Sequence, residues 1–126
     1  FERVLALLHS RGESLRQLPA PPYASQLGGN IRKQEPFRML DSFLVAGLIE
    51  ARSHERMSLL ALNSPDKEIR ALYADLLKSE ARHFSIYWSL SQERFAKDII
   101  TERLNELATL EAEILSVMHP KPRMHS

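Results

Sequence analysis

The chain has 126 residues, of which 44% are hydrophobic, and its formal net charge is +1. This length allows one domain, and the near-neutral charge gives no global basic field of the kind that indicates nucleic-acid binding. The sequence contains no cysteine and no apolar run long enough to cross a bilayer, which excludes thiolate metal sites and predicts a cytoplasmic protein without a membrane partner.

The first elements in chain order are a short helix and a long connection. Residues 1–9 are typical of a helix already under way, and Arg11-Gly12 supplies a glycine stop signal. Residues 19–34 contain prolines and glycines and predict an irregular connection, with a short helix around residues 24–27.

Three longer helices are predicted after this connection. The first begins near Pro36 and runs to about Leu62, and the second has Ser64 or Asp66 as its N-cap and runs to about Leu90. The third covers residues 92–117, and its predicted apolar face consists of Ile99, Ile100, Leu104, Leu107, Leu110 and Ile114. The fold class is therefore predicted to be all-α.

Two glutamates and a histidine on the first two long helices predict a metal site. Glu50 lies on the first, and Glu80 and His83 form a Glu-x-x-His motif on the second. Residues three apart share one helix face, so one oxygen and one nitrogen ligand can reach a common metal. If the helices fold back about Pro65, position 50 comes level with position 80. A lone Glu opposite Glu-x-x-His is half of the carboxylate di-iron site of ferritin-like bundles.

Charged residues inside apolar stripes strengthen this interpretation, because burying them unpaired is costly. The two stripes are Phe43, Gly47, Glu50, His54, Met57 and Ala61, and Ile69, Leu72, Leu76, Glu80, His83 and Tyr87. Glu55 is the rival for the first ligand, but the pivot sets it opposite residue 75. His54 lies one turn from Glu50 and is either a ligand, a hydrogen-bond donor to a ligand, or a core histidine.

Two long segments, residues 40–56 (LDSFLVAGLIEARSHER) and residues 76–84 (LLKSEARHF), resemble the bacterial tRNA hydroxylases that act on 2-methylthio-N6-isopentenyladenosine. The preceding segment, residues 32–36 (RKQEP), is similar to that family as well. The resemblance implies a ferritin-like antiparallel bundle with an additional C-terminal helix. It also implies a monooxygenase that uses two iron ions, dioxygen and an electron donor to hydroxylate the isopentenyl group of an adenosine beside the tRNA anticodon.

The same resemblance assigns roles to the metal-site residues. Glu50 and Glu80 would be carboxylates that bridge the two irons, His83 would be a terminal nitrogen ligand, and no catalytic residue beyond these ligands is expected. The candidates for hydrogen bonds to the ligands are His54, Asp41, Arg52 and Arg82. For the last three, salt bridges on a helix surface or between helices are the alternative.

The sequence departs from the family pattern in two respects. The family's other Glu and Glu-x-x-His would precede Phe1, so we expect one ferritin-like domain over residues 1–126 that lacks its N-terminal half and holds at most three ligands. We also expect cysteine in the family where His54 stands.

The RNA-binding candidates are three bases in the N-terminal third, Arg32, Lys33 and Arg38, for which ordinary surface charge is the alternative. Two other functions stay open. One is a ferritin-like iron protein or oxidase without a tRNA substrate, and the other is an inactive helical module.

Overall fold

The computed structural model describes residues 2–14, 22–80 and 83–117, with the side chains at positions 79, 80, 83 and 84 outside that description. The described residues form six helices and no β-strand, which confirms the all-α prediction. The helices are α1 (Glu2–Ser10), α2 (Tyr23–Gly28), α3 (Phe37–Asn63), α4 (Lys67–Glu80), α5 (His83–Arg94) and α6 (Lys97–Leu115).

The predicted helical hairpin about Pro65 is confirmed. Helix α3 begins directly after Pro36, and Ser64 leaves the helix in an extended conformation with φ −60° and ψ 134°. The Oδ1 atom of Asp66 then accepts hydrogen bonds from the backbone N–H groups of Glu68, at 3.0 Å, and Ile69, at 3.3 Å. These bonds make Asp66 the N-cap of α4. Because the turn is short and α4 packs on α3, the two helices run antiparallel.

The predicted boundary between the second and third long helices is wrong. The backbone N–H of Phe95 donates to Ser91 O at 2.9 Å, so the helical bonding continues past Leu90, and Gln92 still lies in α5. Ala96 then takes an extended conformation, with φ −67° and ψ 148°, and α6 follows it. Residues 81 and 82, which separate α4 from α5 along the chain, lie outside the described residues.

The buried core lies between α2, α3 and α6. Its fully or almost fully buried apolar side chains are Tyr23, Leu27, Leu40, Leu44, Val45, Ile100 and Leu107. Helix α6 thus packs as the additional C-terminal helix that the sequence predicts, through Ile100 and Leu107. Ile99 was expected on the same apolar face, but its side chain is 48% exposed, because it lies a third of a turn away from Ile100.

Helix α1 lies along α4 as the expected further helix of the bundle. Arg3 pairs with Asp75 and Arg11 pairs with Asp66, so the chain direction of α1 opposes that of α4. Gly12 follows α1 with φ 70°, which fits the predicted glycine stop. None of the described helices is long and apolar enough to span a membrane.

Two ion-pair clusters hold α6 parallel to α3. At one end, the fully buried carboxylate of Asp41 accepts hydrogen bonds from Arg32 (Nε to Oδ2, 3.0 Å) and Arg103 (Nε to Oδ1, 3.0 Å). At the other, Arg52 Nη2 donates to Glu111 Oε1 at 2.8 Å, and Glu111 also accepts a hydrogen bond from the buried Tyr23 hydroxyl. Both residue numbers rise together between the two helices, so α3 and α6 run in the same direction.

The pKa values of the buried groups follow from these contacts. Burial acts to raise the pKa of Asp41, but the hydrogen bonds from Arg32 and Arg103 outweigh it and lower the pKa to about 2. Burial and the hydrogen bond to Glu111 both raise the pKa of Tyr23, so the phenol stays protonated. The Asp41 cluster is therefore charged and the Tyr23 hydroxyl neutral at physiological pH.

Replacing Asp41 by Asn is expected to lower the free energy of unfolding at neutral pH by about 3 kcal/mol, since two arginines lose their counter-charge. Because the pKa of Asp41 is lowered, the wild type has the full stabilisation above pH 3.8, the ordinary pKa of an aspartate, and loses it as the pH falls to about 2. Urea titrations across this pH range should therefore show that the free energies of unfolding of the wild type and the variant converge at low pH. Glu55→Gln, which breaks an exposed pair, serves as the control and should change stability by under about 1 kcal/mol.

Candidate metal centre

Glu50 is a half-buried carboxylate on the middle of α3. It shares a helix face with Gly47 and His54, three residues before it and four residues after it. It makes no hydrogen bond or ion pair with any described residue. The carboxylate oxygens of Glu50 are therefore available to a ligand.

This availability sets Glu50 apart from the other sheltered acids. Among the described residues, the acidic side chains that are not fully exposed are Asp41, Glu50, Asp66 and Glu111. Arginines pair with the other three. Since a sheltered carboxylate without a counter-charge is unfavourable, Glu50 is a residue whose position packing does not explain.

Close contact between Gly47 and Trp88 fixes α3 against α5 next to Glu50. A Cβ atom built on Gly47 would lie 3.2 Å from the Cη2 and Cζ2 atoms of the indole ring, so the ring rests directly on the α3 backbone. Glu50 follows one helical turn later on the same face. The α5 backbone that carries Trp88 thus borders the Glu50 side of α3.

The two remaining predicted ligands lie at neighbouring helix ends. Glu80 is the last residue of α4 and His83 is the first of α5, and both helices pack on α3. Their side chains lie outside the described residues, as does Arg82 altogether. Within the part of the chain that is described, no three metal-ligating side chains cluster. That Glu50 faces Glu80 and His83 stays a prediction.

The residue types nevertheless fit iron. Glu50 offers a carboxylate without a described partner, and the sequence adds the oxygen and nitrogen donors of Glu80 and His83 on the adjacent helices. Carboxylate and imidazole ligands suit iron, and the sequence contains no competing thiolate. Glu55, the rival ligand, is exposed and accepts a hydrogen bond from Arg52 Nη1 at 2.7 Å, which favours Glu50.

The contacts of Asp41 and Arg52 are the inter-helix salt bridges that the sequence left as the alternative. Neither forms a hydrogen bond with Glu50, because each lies about half a helical turn around α3 from it. His54 is half-buried, and its backbone carbonyl accepts a hydrogen bond from Ser58 Oγ at 2.9 Å. Its role beside the metal remains a prediction.

Sequence reasoning missed Arg103, Glu111 and Tyr23 as members of the buried polar network. Glu111 follows Leu107 at helical spacing, so an acid inside the apolar stripe of α6 was a visible signal. The partners themselves could not be read from the sequence, since Arg52 and Glu111 are 59 residues apart.

The three RNA-binding candidates differ in their surroundings. Arg32 is engaged by Asp41, and its side chain is 40% exposed. Arg38 pairs with Glu35 at the surface, where Nε and Oε1 lie 2.7 Å apart. Lys33 is exposed and makes no ion pair with a described residue.

Comparison with solved structures defines the class of protein. The chain is similar to "Protein 43 with aldehyde deformylating oxygenase activity from Synechococcus", with a TM-score of 0.93 and 57% sequence identity. The match covers 99% of this chain and 64% of that one. The fold is accordingly that of the ferritin-like helical bundles, as the sequence predicted.

The family follows from comparison with sequences. The family model described as tRNA-(MS[2]IO[6]A)-hydroxylase (MiaE) matches residues 1–126, and the chain belongs to this family. A tRNA 2-(methylsulfanyl)-N(6)-isopentenyladenosine(37) hydroxylase from Pseudomonas putida is 36% identical over 99% of this chain, and one from Salmonella typhimurium is 32% identical over all of it. The chain spans 60% and 46% of the lengths of these two relatives. The family resemblance seen in the sequence is thus confirmed.

The contact between Gly47 and Trp88 predicts that a methyl group is harmful at position 47. Gly47→Ala gains up to about 1 kcal/mol of helix propensity but must displace the indole, which typically costs about 1–3 kcal/mol. Gly28→Ala is the matched control, because nothing lies within 4 Å of its added Cβ. Chemical denaturation should show Gly47→Ala to be less stable than Gly28→Ala by about 1–3 kcal/mol, since the gain in helix propensity is common to both. Equal stabilities would show that the indole yields freely.

Proposed function

We propose that this protein is a tRNA hydroxylase that acts on the isopentenyl group of 2-methylthio-N6-isopentenyladenosine next to the anticodon. The observation that carries the proposal is the family match over residues 1–126, which two relatives named as such hydroxylases support. A tRNA substrate also implies that the protein works in the cytoplasm.

The proposed cofactor is a pair of iron ions. Glu50, Glu80 and His83 would supply ligands from this part of the chain, and the lack of an ion-pair partner for Glu50 among the described residues supports that assignment. When bound, such a centre supplies the activation of dioxygen, with electrons from a separate donor. The protein residues around it hold the ions, exclude water and orient the substrate.

Two features of the described residues suit these tasks. The indole of Trp88 rests on the α3 backbone at Gly47, so an apolar ring lies one helical turn from Glu50. On the opposite face of α3, Arg52 is fixed by Glu111 and, through it, Tyr23. These contacts hold α3 in one orientation, so the Glu50 carboxylate is directed to one side of the helix.

A second candidate reaction comes from the structural relative whose description gives aldehyde deformylating oxygenase activity, at 57% identity. The family model and both named hydroxylases favour tRNA instead. The two functions differ in their substrates, so they can be separated by activity measurements alone.

Replacing Glu50, Glu80 or His83 by Ala in the complete protein is expected to abolish stoichiometric iron binding, because each change removes one metal ligand. The helix content should stay unchanged. Glu55→Gln is the matched control on α3 and should keep most of the iron, since its carboxylate contacts Arg52 at the surface. Iron analysis after anaerobic reconstitution, with circular dichroism for folding, measures both. Equal losses of iron in the Glu50 and Glu55 variants would show that Glu50 is not the specific carboxylate ligand.

The reconstituted complete protein is expected to convert the isopentenyl nucleoside in tRNA to its hydroxylated form in the presence of dioxygen and a reductant. Mass spectrometry of nuclease-digested tRNA measures this product. A long-chain aldehyde is the comparison substrate, with gas chromatography of the products. Aldehyde conversion without any change in tRNA would favour the second candidate and refute the first.

A further inference from the structure

The N-terminal end of α3 carries an exposed aromatic ring with a guanidinium stacked on it. The Arg32 Cζ atom lies 4.5 Å from the centroid of the Phe37 ring, and Phe37 is 44% exposed. Lys33 and Arg38 are exposed beside this pair. We name these four residues, Arg32, Lys33, Phe37 and Arg38, the Arg32–Phe37 patch.

The stacked pair is held in place before any ligand arrives. Arg32 donates from its backbone N–H, Nε and Nη2 to the carboxylate of Asp41, at 2.8–3.0 Å. Arg103 holds the same carboxylate and donates from Nη2 to Asn30 O at 2.8 Å, which fixes the connection before α3. A preordered surface loses little conformational entropy on binding, so an exposed ring here is suited to recognition.

The charges next to the ring suit a polyanion. Lys33 has no ion-pair partner among the described residues. Arg38 pairs with Glu35 at the surface, and a surface ion pair of this kind contributes little to stability. Both can therefore turn toward phosphates. The charge of Arg32 is largely taken up by Asp41, so Arg32 contributes its flat guanidinium surface more than its charge.

An aromatic ring with bases beside it is the arrangement by which proteins bind unpaired nucleotides, since bases stack on aromatic and guanidinium planes while cations hold the backbone. Phe37 and Glu50 are 13 residues apart, or about 20 Å along the helix axis, and lie on different sides of α3. The nucleotide on Phe37 is therefore not the one that is modified.

We propose that the Arg32–Phe37 patch binds RNA by stacking an unpaired base on Phe37, away from the reacting nucleotide, while Lys33 and Arg38 contact the adjoining phosphates. This inference rests on the proposed tRNA substrate and adds to it the surface that holds a second part of the same RNA.

The test measures binding of the complete iron-loaded protein to an anticodon stem-loop hairpin and to a duplex of equal length, by fluorescence anisotropy. Phe37→Ala and Phe37→Leu should weaken hairpin binding about tenfold and leave duplex binding within about twofold, because only the hairpin offers an unpaired base. Phe37→Trp should retain hairpin affinity. Lys33→Glu should weaken binding to both RNAs and reduce the salt slope by about one.

Leu62→Ala is the control, since Leu62 is 78% exposed at the other end of α3, and it should not change affinity. Thermal unfolding of each variant checks the fold. If the wild type hydroxylates tRNA but Phe37→Ala, Phe37→Leu and Lys33→Glu bind the hairpin as tightly as it does, the patch is refuted and the proposed function survives. If the wild type neither binds the hairpin nor hydroxylates tRNA, both are refuted.

Discussion

The carboxylate of Asp41 joins three parts of the chain, and the arrangement of the bundle around α3 depends on it. It lies within α3 and receives Arg32 from the preceding connection and Arg103 from α6. Burial opposes its charge, but two guanidinium groups offset that penalty and hold the carboxylate ionised. Arg103 also donates a hydrogen bond to Asn30 O. The buried charge of Asp41 therefore helps to fix the position of α6 along α3 and the position of the connection that precedes α3.

The ion pairs with α6 occupy one face of α3 and leave the opposite face for other contacts. Asp41 and Arg52 are 11 residues apart, close to three full turns, and both meet α6. Glu50 is only two residues from Arg52, yet about half a turn around the helix, on the side where Trp88 contacts Gly47. One face is therefore occupied by packing and ion pairs, which leaves the other for α4, α5 and the candidate ligands.

Local signals made much of the fold predictable, and their absence explains the errors. Pro36 and Asp66 mark helix starts through backbone and capping chemistry that a sequence displays directly. The break at Ala96 has neither glycine nor proline, so the end of α5 was placed too early. Glu50 could be selected because a charge interrupts an apolar stripe, but Asp41 gives the same signal. The contacts of Asp41 with Arg32 and with Arg103, which is 62 residues away, distinguish this packing charge from a candidate ligand.

The ion-pair partners of the sheltered acidic side chains support that distinction. Asp41, Asp66 and Glu111 are each matched by an arginine, even though this requires partners from distant parts of the chain. A residue kept for packing needs such a partner, because a sheltered carboxylate loses hydration that only a cation or several donors can replace. A carboxylate that binds a metal needs at least one oxygen outside such a pair, because an oxygen held by an arginine is not available to the ion. Among the described acids that are at least half-buried, Glu50 is the one that meets this second condition.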